Sequence, residues 1–110
     1  MRGFVYFIGS ADLPEQRVKI GFTTTSPYKR MAALQTGCPF PLDVIAHAVG
    51  TSADETALHS RFADFGTIGE WFALEGALQA YVADLASRCT QDQPAPTVWT
   101  DLYLESERKA

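Results

Sequence analysis

The feature that most constrains the fold is a pair of short β-type segments at the start of the chain, separated by a polar loop. Residues 3–9 are mostly aromatic and aliphatic. In residues 17–23 apolar and polar side chains alternate, which is the pattern of a strand with one buried face. The loop of residues 11–16 is too short to hold a crossover helix, so the two strands are predicted to pair antiparallel.

Helix signals and a further β-rich segment follow this pair. Ser26-Pro27 offers an N-cap with proline at the first helical position, and Ser52 and Glu55 have the spacing of a capping box. Residues 42–49 are β-rich and predict a third strand. Together with apolar residues at helical spacing, these signals predict three helices, which end near Gly37, at Gly66 and at Ser87.

The predicted fold class is α/β in the broad sense, more narrowly α+β. A small three-stranded, largely antiparallel sheet is flanked by about three helices, and residues 69–72 form a short aromatic turn or strand. A chain of 110 residues is the usual size of one compact domain. We predict a domain over residues 1–88 and a C-terminal tail over residues 89–110, which contains Pro94 and Pro96.

Charge and cysteine content limit the classes of function. The net charge of −4 argues mildly against a nucleic-acid partner, but residues 1–50 carry five basic and three acidic side chains, against four and ten in residues 51–110. A cationic first half can hold phosphates. Cys38 and Cys89 lack the spacing of a zinc site and are interpreted as free thiols. Because no apolar run approaches the ~20 residues of a membrane span, we expect a soluble, cytoplasmic protein with no membrane contact.

Several short motifs follow one another in a characteristic order. They are Phe4-Val5-Tyr6, Lys19-Ile20-Gly21, Lys29-Arg30, Glu55 with His59, and Gly69-Glu70-Trp71-Phe72. In this order and spacing they resemble the GIY-YIG nuclease superfamily, in the phage-type branch whose second motif reads Lys-Ile-Gly. The resemblance covers roughly residues 3–88 and implies a GIY-YIG-like fold. It departs at Gly66 and Ile68, where basic residues are often seen.

The resemblance implies a metal-dependent endonuclease that hydrolyses DNA phosphodiester bonds. Glu55 would hold one Mg²⁺ or Mn²⁺ ion, and substrate phosphates would complete its coordination. Tyr6 would act as general base toward water, which a phenol can do when cations stabilise its anionic form. His59 would be a second-shell hydrogen-bond partner or a proton carrier.

The basic residues of the resemblance are assigned to DNA. Arg30 would stabilise charge on the scissile phosphate through its forked guanidinium, and Lys19 would assist catalysis as a phosphate clamp. Lys19, Lys29 and Arg30 would together contact the DNA. Family members often borrow specificity from an attached domain, so here either specificity is low or a homodimer or partner protein supplies it.

Each of these residues also has a purely structural interpretation. Glu55 would close the capping box with Ser52, although residues 55, 58, 59 and 62 share one helix stripe that faces the sheet. His59 and Tyr6 would be satisfied core residues. Arg30 and Lys19 would be solvated surface cations.

Alternatives also exist for the aromatic segment at residues 69–72 and for the function of the whole chain. Trp71 and Phe72 are interpreted as packing residues in preference to base-stacking platforms, and Glu70 either lies on the surface or supports the site. For the chain, the alternative to a nuclease is a catalytically faded domain of the same type that binds DNA or a protein partner. A small-ligand module has no positive feature in the sequence.

Overall fold

A computed structural model describes residues 2–10 and 16–88. These residues form an α+β domain around one antiparallel sheet with the strand order β3-β1-β2-β4. The strands are β1 (Arg2–Gly9), β2 (Arg17–Thr23), β3 (Asp43–Thr51) and β4 (Trp71–Ala73). The helices are α1 (Pro27–Gln35), α2 (Ser52–Arg61) and α3 (Gly76–Arg88), with a short 3-10 helix at Ala63–Phe65.

The antiparallel pairing of the first two strands is confirmed, but the prediction of three strands is wrong. A fourth strand, Trp71–Ala73, pairs with residues 17–19 of β2. Three residues are too few to display a period of two in the sequence. This strand exists because its backbone pairs with the edge of β2, and that partner lies about fifty residues earlier in the chain.

The start of α1 is as predicted, whereas the cap of α2 is displaced by one residue. Ser26 Oγ accepts a hydrogen bond from the Tyr28 amide and caps α1. In α2 the N-cap is Thr51, and the capping box closes between Thr51 and Asp54: the Thr51 amide donates to Asp54 Oδ2 at 2.8 Å, and the Asp54 amide donates to Thr51 Oγ1 at 3.3 Å. The predicted Ser52–Glu55 box is therefore wrong. Glu55 has no role in this cap.

The end of α2 also differs from the prediction. The helix was expected to continue to Gly66, but it ends at Arg61, because Phe62 leaves the helical conformation (φ −105°, ψ 24°). The chain then turns through the short 3-10 helix. The apolar stripe of α3 is confirmed, with Leu78, Tyr81, Val82 and Leu85 buried.

The sheet is covered on both faces. Helices α2 and α3 pack on the face that carries Val5, Phe7, Val18 and Ile20, and this larger cluster is the main core. Helix α1 packs on the opposite face, the α1 face, over a smaller cluster centred on Tyr6, Ile8 and Leu42. No helix within residues 2–10 and 16–88 is long and apolar enough to cross a membrane. The predicted tail, residues 89–110, and Cys89 lie outside the described residues.

Candidate functional site

Tyr6 lies on the α1 face of the central strand, directly opposite Gly21 of β2. Its side chain is almost fully buried, 2% exposed, and its ring lies so close over Gly21 that a β-carbon there would collide with the ring and the phenol oxygen. The glycine of the Lys19-Ile20-Gly21 motif thus provides the space in which the ring lies. This packing fixes the position of the Tyr6 hydroxyl.

Arg30 projects from α1 toward that hydroxyl. Its Nε donates a hydrogen bond to Tyr6 Oη at 3.4 Å. The contact raises the pKa of Arg30, and the nearby charge of Glu70 raises it further. Arg30 is thereby a charged, largely exposed group that touches the tyrosine, and it is more than a solvated helix arginine. The neighbouring Lys29 is exposed on the same helix.

Lys19 is not a solvated surface cation, which was its purely structural interpretation. Its side chain is only 13% exposed, and Nζ contacts Glu70 Oε2 at 2.6 Å. Glu70 immediately precedes β4, and its backbone oxygen accepts a hydrogen bond from the Ile20 amide at 3.1 Å. Strand pairing therefore holds Glu70 beside Lys19.

Glu55 lies on the inward-facing side of α2 with Leu58, which is fully buried in the main core, as the helical spacing predicts. Its side chain is 19% exposed, and its Oε1 lies 3.6 Å from His59 Nε2. Burial raises the pKa of the Glu55 carboxyl, and the charge of Glu70 adds to this rise, whereas His59 and Lys19 oppose it. Glu55 is thus a half-buried carboxylate whose ionised form is incompletely compensated, which favours a nearby cation.

His59 connects α2 to the edge of β2. Its Nε2 lies 2.9 Å from the Ile20 carbonyl oxygen, and its ring packs edge-on against Phe72 at a centroid distance of 5.0 Å. For this hydrogen bond Nε2 must carry the proton, because the carbonyl can only accept. The contact ties α2, the helix that also carries Glu55, to β2.

These residues lie around the point where β4 begins beside β2, with Tyr6, Lys19 and Arg30 on the α1 face and Glu55 and His59 on α2. Glu70 joins the two halves, because it pairs with Lys19 and its charge acts on both Arg30 and Glu55. We call this group the edge cluster; its members are Tyr6, Lys19, Arg30, Glu55, His59 and Glu70. It combines a phenol, cations and two carboxylates, which are groups that can hold a phosphate, a divalent cation and a water proton.

The two aromatic residues that follow Glu70 have different environments. Phe72 is 4% exposed and belongs to the main core, as predicted. Trp71 is partly buried on the α1 face and lines a cavity of about 340 Å³ together with Cys38, Phe40 and Ile68. Packing therefore describes Phe72 fully and Trp71 only in part.

Comparison with known protein families identifies the domain. The T5orf172 domain matches residues 3–91, which is more than half of the chain. The chain belongs to the T5orf172 domain family. No curated protein and no solved structure matches the sequence.

The T5orf172 match spans every member of the edge cluster, from β1 to α3. Within residues 2–10 and 16–88 no group of three or more histidine, cysteine, aspartate or glutamate side chains is placed to hold a metal. The donors that Glu55 and Glu70 offer are carboxylate oxygens, which suit Mg²⁺ or Mn²⁺. Such an ion fits here if water and substrate oxygens supply the remaining ligands.

One member of the edge cluster was underestimated from the sequence. Glu70 was left between a surface and a supporting role, because its contact with Lys19 joins residues 51 positions apart. His47 of β3 lies opposite Tyr6, and its ring packs edge-on against Phe4 and Tyr28. Burial lowers its pKa, which favours the neutral imidazole. Alternation along β3 does not by itself show that His47 shares a face with Tyr6, because this depends on the register between β1 and β3.

Proposed function

We propose that this T5orf172 protein is a metal-dependent endonuclease of the GIY-YIG type that hydrolyses phosphodiester bonds in DNA. The observation that carries the proposal is the edge cluster, in which the Tyr6 hydroxyl touches Arg30 while a half-buried carboxylate, Glu55, lies beside the same Glu70–Lys19 pair. The structural alternative for Glu55 has lost its basis, because Asp54 closes the capping box.

Tyr6 and Arg30 act on the water and the phosphate. To act as a general base, Tyr6 must react as its phenolate, which the positive charge of Arg30 at 3.4 Å stabilises, and it becomes the neutral phenol when it accepts a proton from the attacking water. The guanidinium is largely exposed, so it can donate hydrogen bonds to two oxygens of the phosphate. Negative charge on these oxygens increases in the transition state. Burial of the Tyr6 ring over Gly21 keeps the phenol oxygen at one position during this step.

Glu55 supplies the anionic ligand for the cation. When bound there, Mg²⁺ or Mn²⁺ neutralises charge on the phosphate and on the leaving 3′ oxygen. His59, hydrogen-bonded to the Ile20 carbonyl, would hold α2 and thus the backbone of Glu55 beside the sheet. Burial raises the pKa of the Glu55 carboxyl, and a bound cation would favour its ionised form, so cation binding there would depend on pH.

Lys19 and Lys29 complete the contact with DNA. Lys19 is paired with Glu70, so a DNA phosphate must compete with this carboxylate for the ammonium group. Lys29 is exposed on α1 and would meet the DNA backbone as a point charge. We further propose that the protein acts in the cytoplasm and that DNA is its partner. A homodimer or a partner protein would supply specificity for particular DNA sites.

A second function, a catalytically faded domain that binds DNA or a protein partner, is favoured by one observation. The Lys19–Glu70 pair neutralises a cation in the middle of the edge cluster, in a chain of net charge −4. In such a domain Tyr6 and Arg30 would serve only packing and phosphate contact.

Cleavage assays separate the two functions. The full chain is incubated with labelled single-stranded and duplex DNA in Mg²⁺, in Mn²⁺ and in EDTA. We expect cleavage with either metal, none in EDTA, and none by Glu55→Gln. Glu75→Gln is the matched control, since Glu75 is exposed and outside the edge cluster, and it should cleave like the parent protein. DNA binding without cleavage in any metal would instead establish the faded domain.

A further inference from the structure

The cavity beside β4 has an almost entirely apolar lining and lies open at the surface. Trp71 and Phe40 form aromatic walls, and Leu42, Cys38 and Ile68 add aliphatic and thiol surface. Within residues 2–10 and 16–88 the structure shows three large apolar side chains as strongly exposed, and two of them, Phe40 (43%) and Ile68 (78%), line this cavity. Exposed aromatic and aliphatic surface concentrated around one hollow indicates a binding site.

The cavity adjoins Lys19, the member of the edge cluster that lies nearest to it on the α1 face. Trp71 is the cross-strand partner of Lys19, and Arg17, another lining residue, lies two positions before Lys19 on the same face of β2. Two residues of a strand span about 6.6 Å. This is roughly the rise of two stacked nucleotides at about 3.4 Å each. A DNA strand whose phosphate contacts Lys19, and which runs along β2 toward Arg17, can therefore present a neighbouring base at the mouth of the cavity.

The dimensions and chemistry of the cavity suit one flat aromatic ligand. Sites for small molecules begin at roughly 300 Å³, so about 340 Å³ holds a single planar ring system with its substituents. Any nucleobase can stack on an aromatic side chain, whereas an apolar lining cannot select one base by hydrogen bonding. Trp71 and Phe40 offer such stacking surfaces without base selection.

We propose that this cavity binds one nucleobase of the DNA strand next to the scissile phosphate. The proposal rests on the proposed nuclease function and specifies its substrate. A base paired and stacked in a duplex has to leave the stack before it can enter. The preferred substrate is then DNA with an unpaired base at this position, in a single strand or at a mismatch, with little preference among the four bases.

Binding to oligonucleotides that lack a single base tests the proposal without requiring cleavage. The full chain is titrated, in EDTA, with a fluorescent single-stranded oligonucleotide and with versions in which one nucleotide after another is abasic. Loss of the base at one position should weaken binding roughly tenfold, the scale of one base–aromatic stack, while loss at other positions changes little. The phosphates are identical in all versions, so charge does not contribute to the difference.

Variants at the cavity connect this effect to its lining. Phe40→Ala and Ile68→Glu should abolish the difference between intact and abasic DNA, and Phe40→Tyr, which keeps an aromatic ring, should retain it. Both positions are well exposed, and a melting curve for each variant verifies that it folds. Tyr28→Ala is the matched control, because Tyr28 is an exposed aromatic residue (57%) on α1 outside the cavity lining, and its difference should equal that of the parent protein.

Two outcomes would overturn the proposal. One is equal binding of intact and abasic DNA by the parent protein; the other is a difference that survives both Phe40→Ala and Ile68→Glu. The same oligonucleotides are also incubated with Mn²⁺. Cleavage that is indifferent to the missing base leaves the nuclease intact and rejects only the base site, whereas absence of cleavage of every DNA tested rejects the nuclease itself.

Discussion

Gly21→Ala should disturb the site without touching any charged group. A β-carbon at this position collides with the ring and hydroxyl oxygen of Tyr6, and neither partner can move easily, since Gly21 is in a paired strand and Tyr6 is 2% exposed. Insertion of a methyl group into a packed interior costs about 1 to 3 kcal/mol in the free energy of unfolding. At roughly 4 °C for each kcal/mol, the melting temperature should fall by about 4 to 12 °C.

A second background identifies the atoms responsible. In Tyr6→Leu the ring is absent, so adding Gly21→Ala should cost much less than it does in the parent protein, and the double-mutant cycle should show a coupling above about 1 kcal/mol. The assay is urea unfolding of the four proteins at one pH. Equal costs of Gly21→Ala in both backgrounds would refute the packing of Tyr6 over Gly21. In the single variant, DNA cleavage should fall more steeply than stability, because displacement of the ring also moves the hydroxyl away from Arg30.

Three further predictions concern the charged groups and the phenol. Tyr6→Phe keeps the ring and should lower single-turnover cleavage by roughly 10² to 10⁴, with unfolding nearly unchanged; an unaltered rate would make Tyr6 a packing residue. Arg30→Ala should lower the cleavage rate by about 10² to 10³ and DNA affinity much less, whereas Lys19→Ala should lower both moderately. Cleavage and binding are measured at two salt concentrations. Equal losses of cleavage and binding in Arg30→Ala would mean that Arg30 only binds the DNA. The folded-state pKa of Glu55 is raised above its ordinary value of 4.5, so its contribution to stability is present below that value and is lost as pH rises through the folded pKa. The free energy of unfolding of the parent protein relative to Glu55→Gln should therefore fall from pH 4 to pH 7, and a constant difference would contradict the burial of that carboxyl.

Local patterns were sufficient where a short segment carries its own signal. The alternation of residues 17–23 gave β2 with its observed bounds, and Ser26-Pro27 gave the start of α1, because strand faces and N-caps depend on adjacent residues. The helical spacing of α2 likewise predicted from the sequence that Glu55 and His59 face the sheet. Periodicity alone thus placed two of the six members of the edge cluster toward the sheet.

Features that depend on distant partners were not accessible in this way. Strand β4 is stable only beside β2, and the Lys19–Glu70 contact exists only once that pairing is made. The cap of α2 was misplaced because Thr51 and Ser52 are both good capping residues, each with an acidic residue three positions later, and the sequence does not distinguish them. The choice decides whether Glu55 is used in capping or is available to a cation.

The most direct test of the central claim is the position of the metal. Crystals of the full chain with a short DNA oligonucleotide are soaked in Mn²⁺, and anomalous scattering from the ion is mapped. We predict one strong peak within about 2.5 Å of a Glu55 carboxylate oxygen in the parent protein, and no such peak in Glu55→Gln. A peak elsewhere with Glu55 unbound, or bound DNA with no Mn²⁺ at the edge cluster, would contradict it.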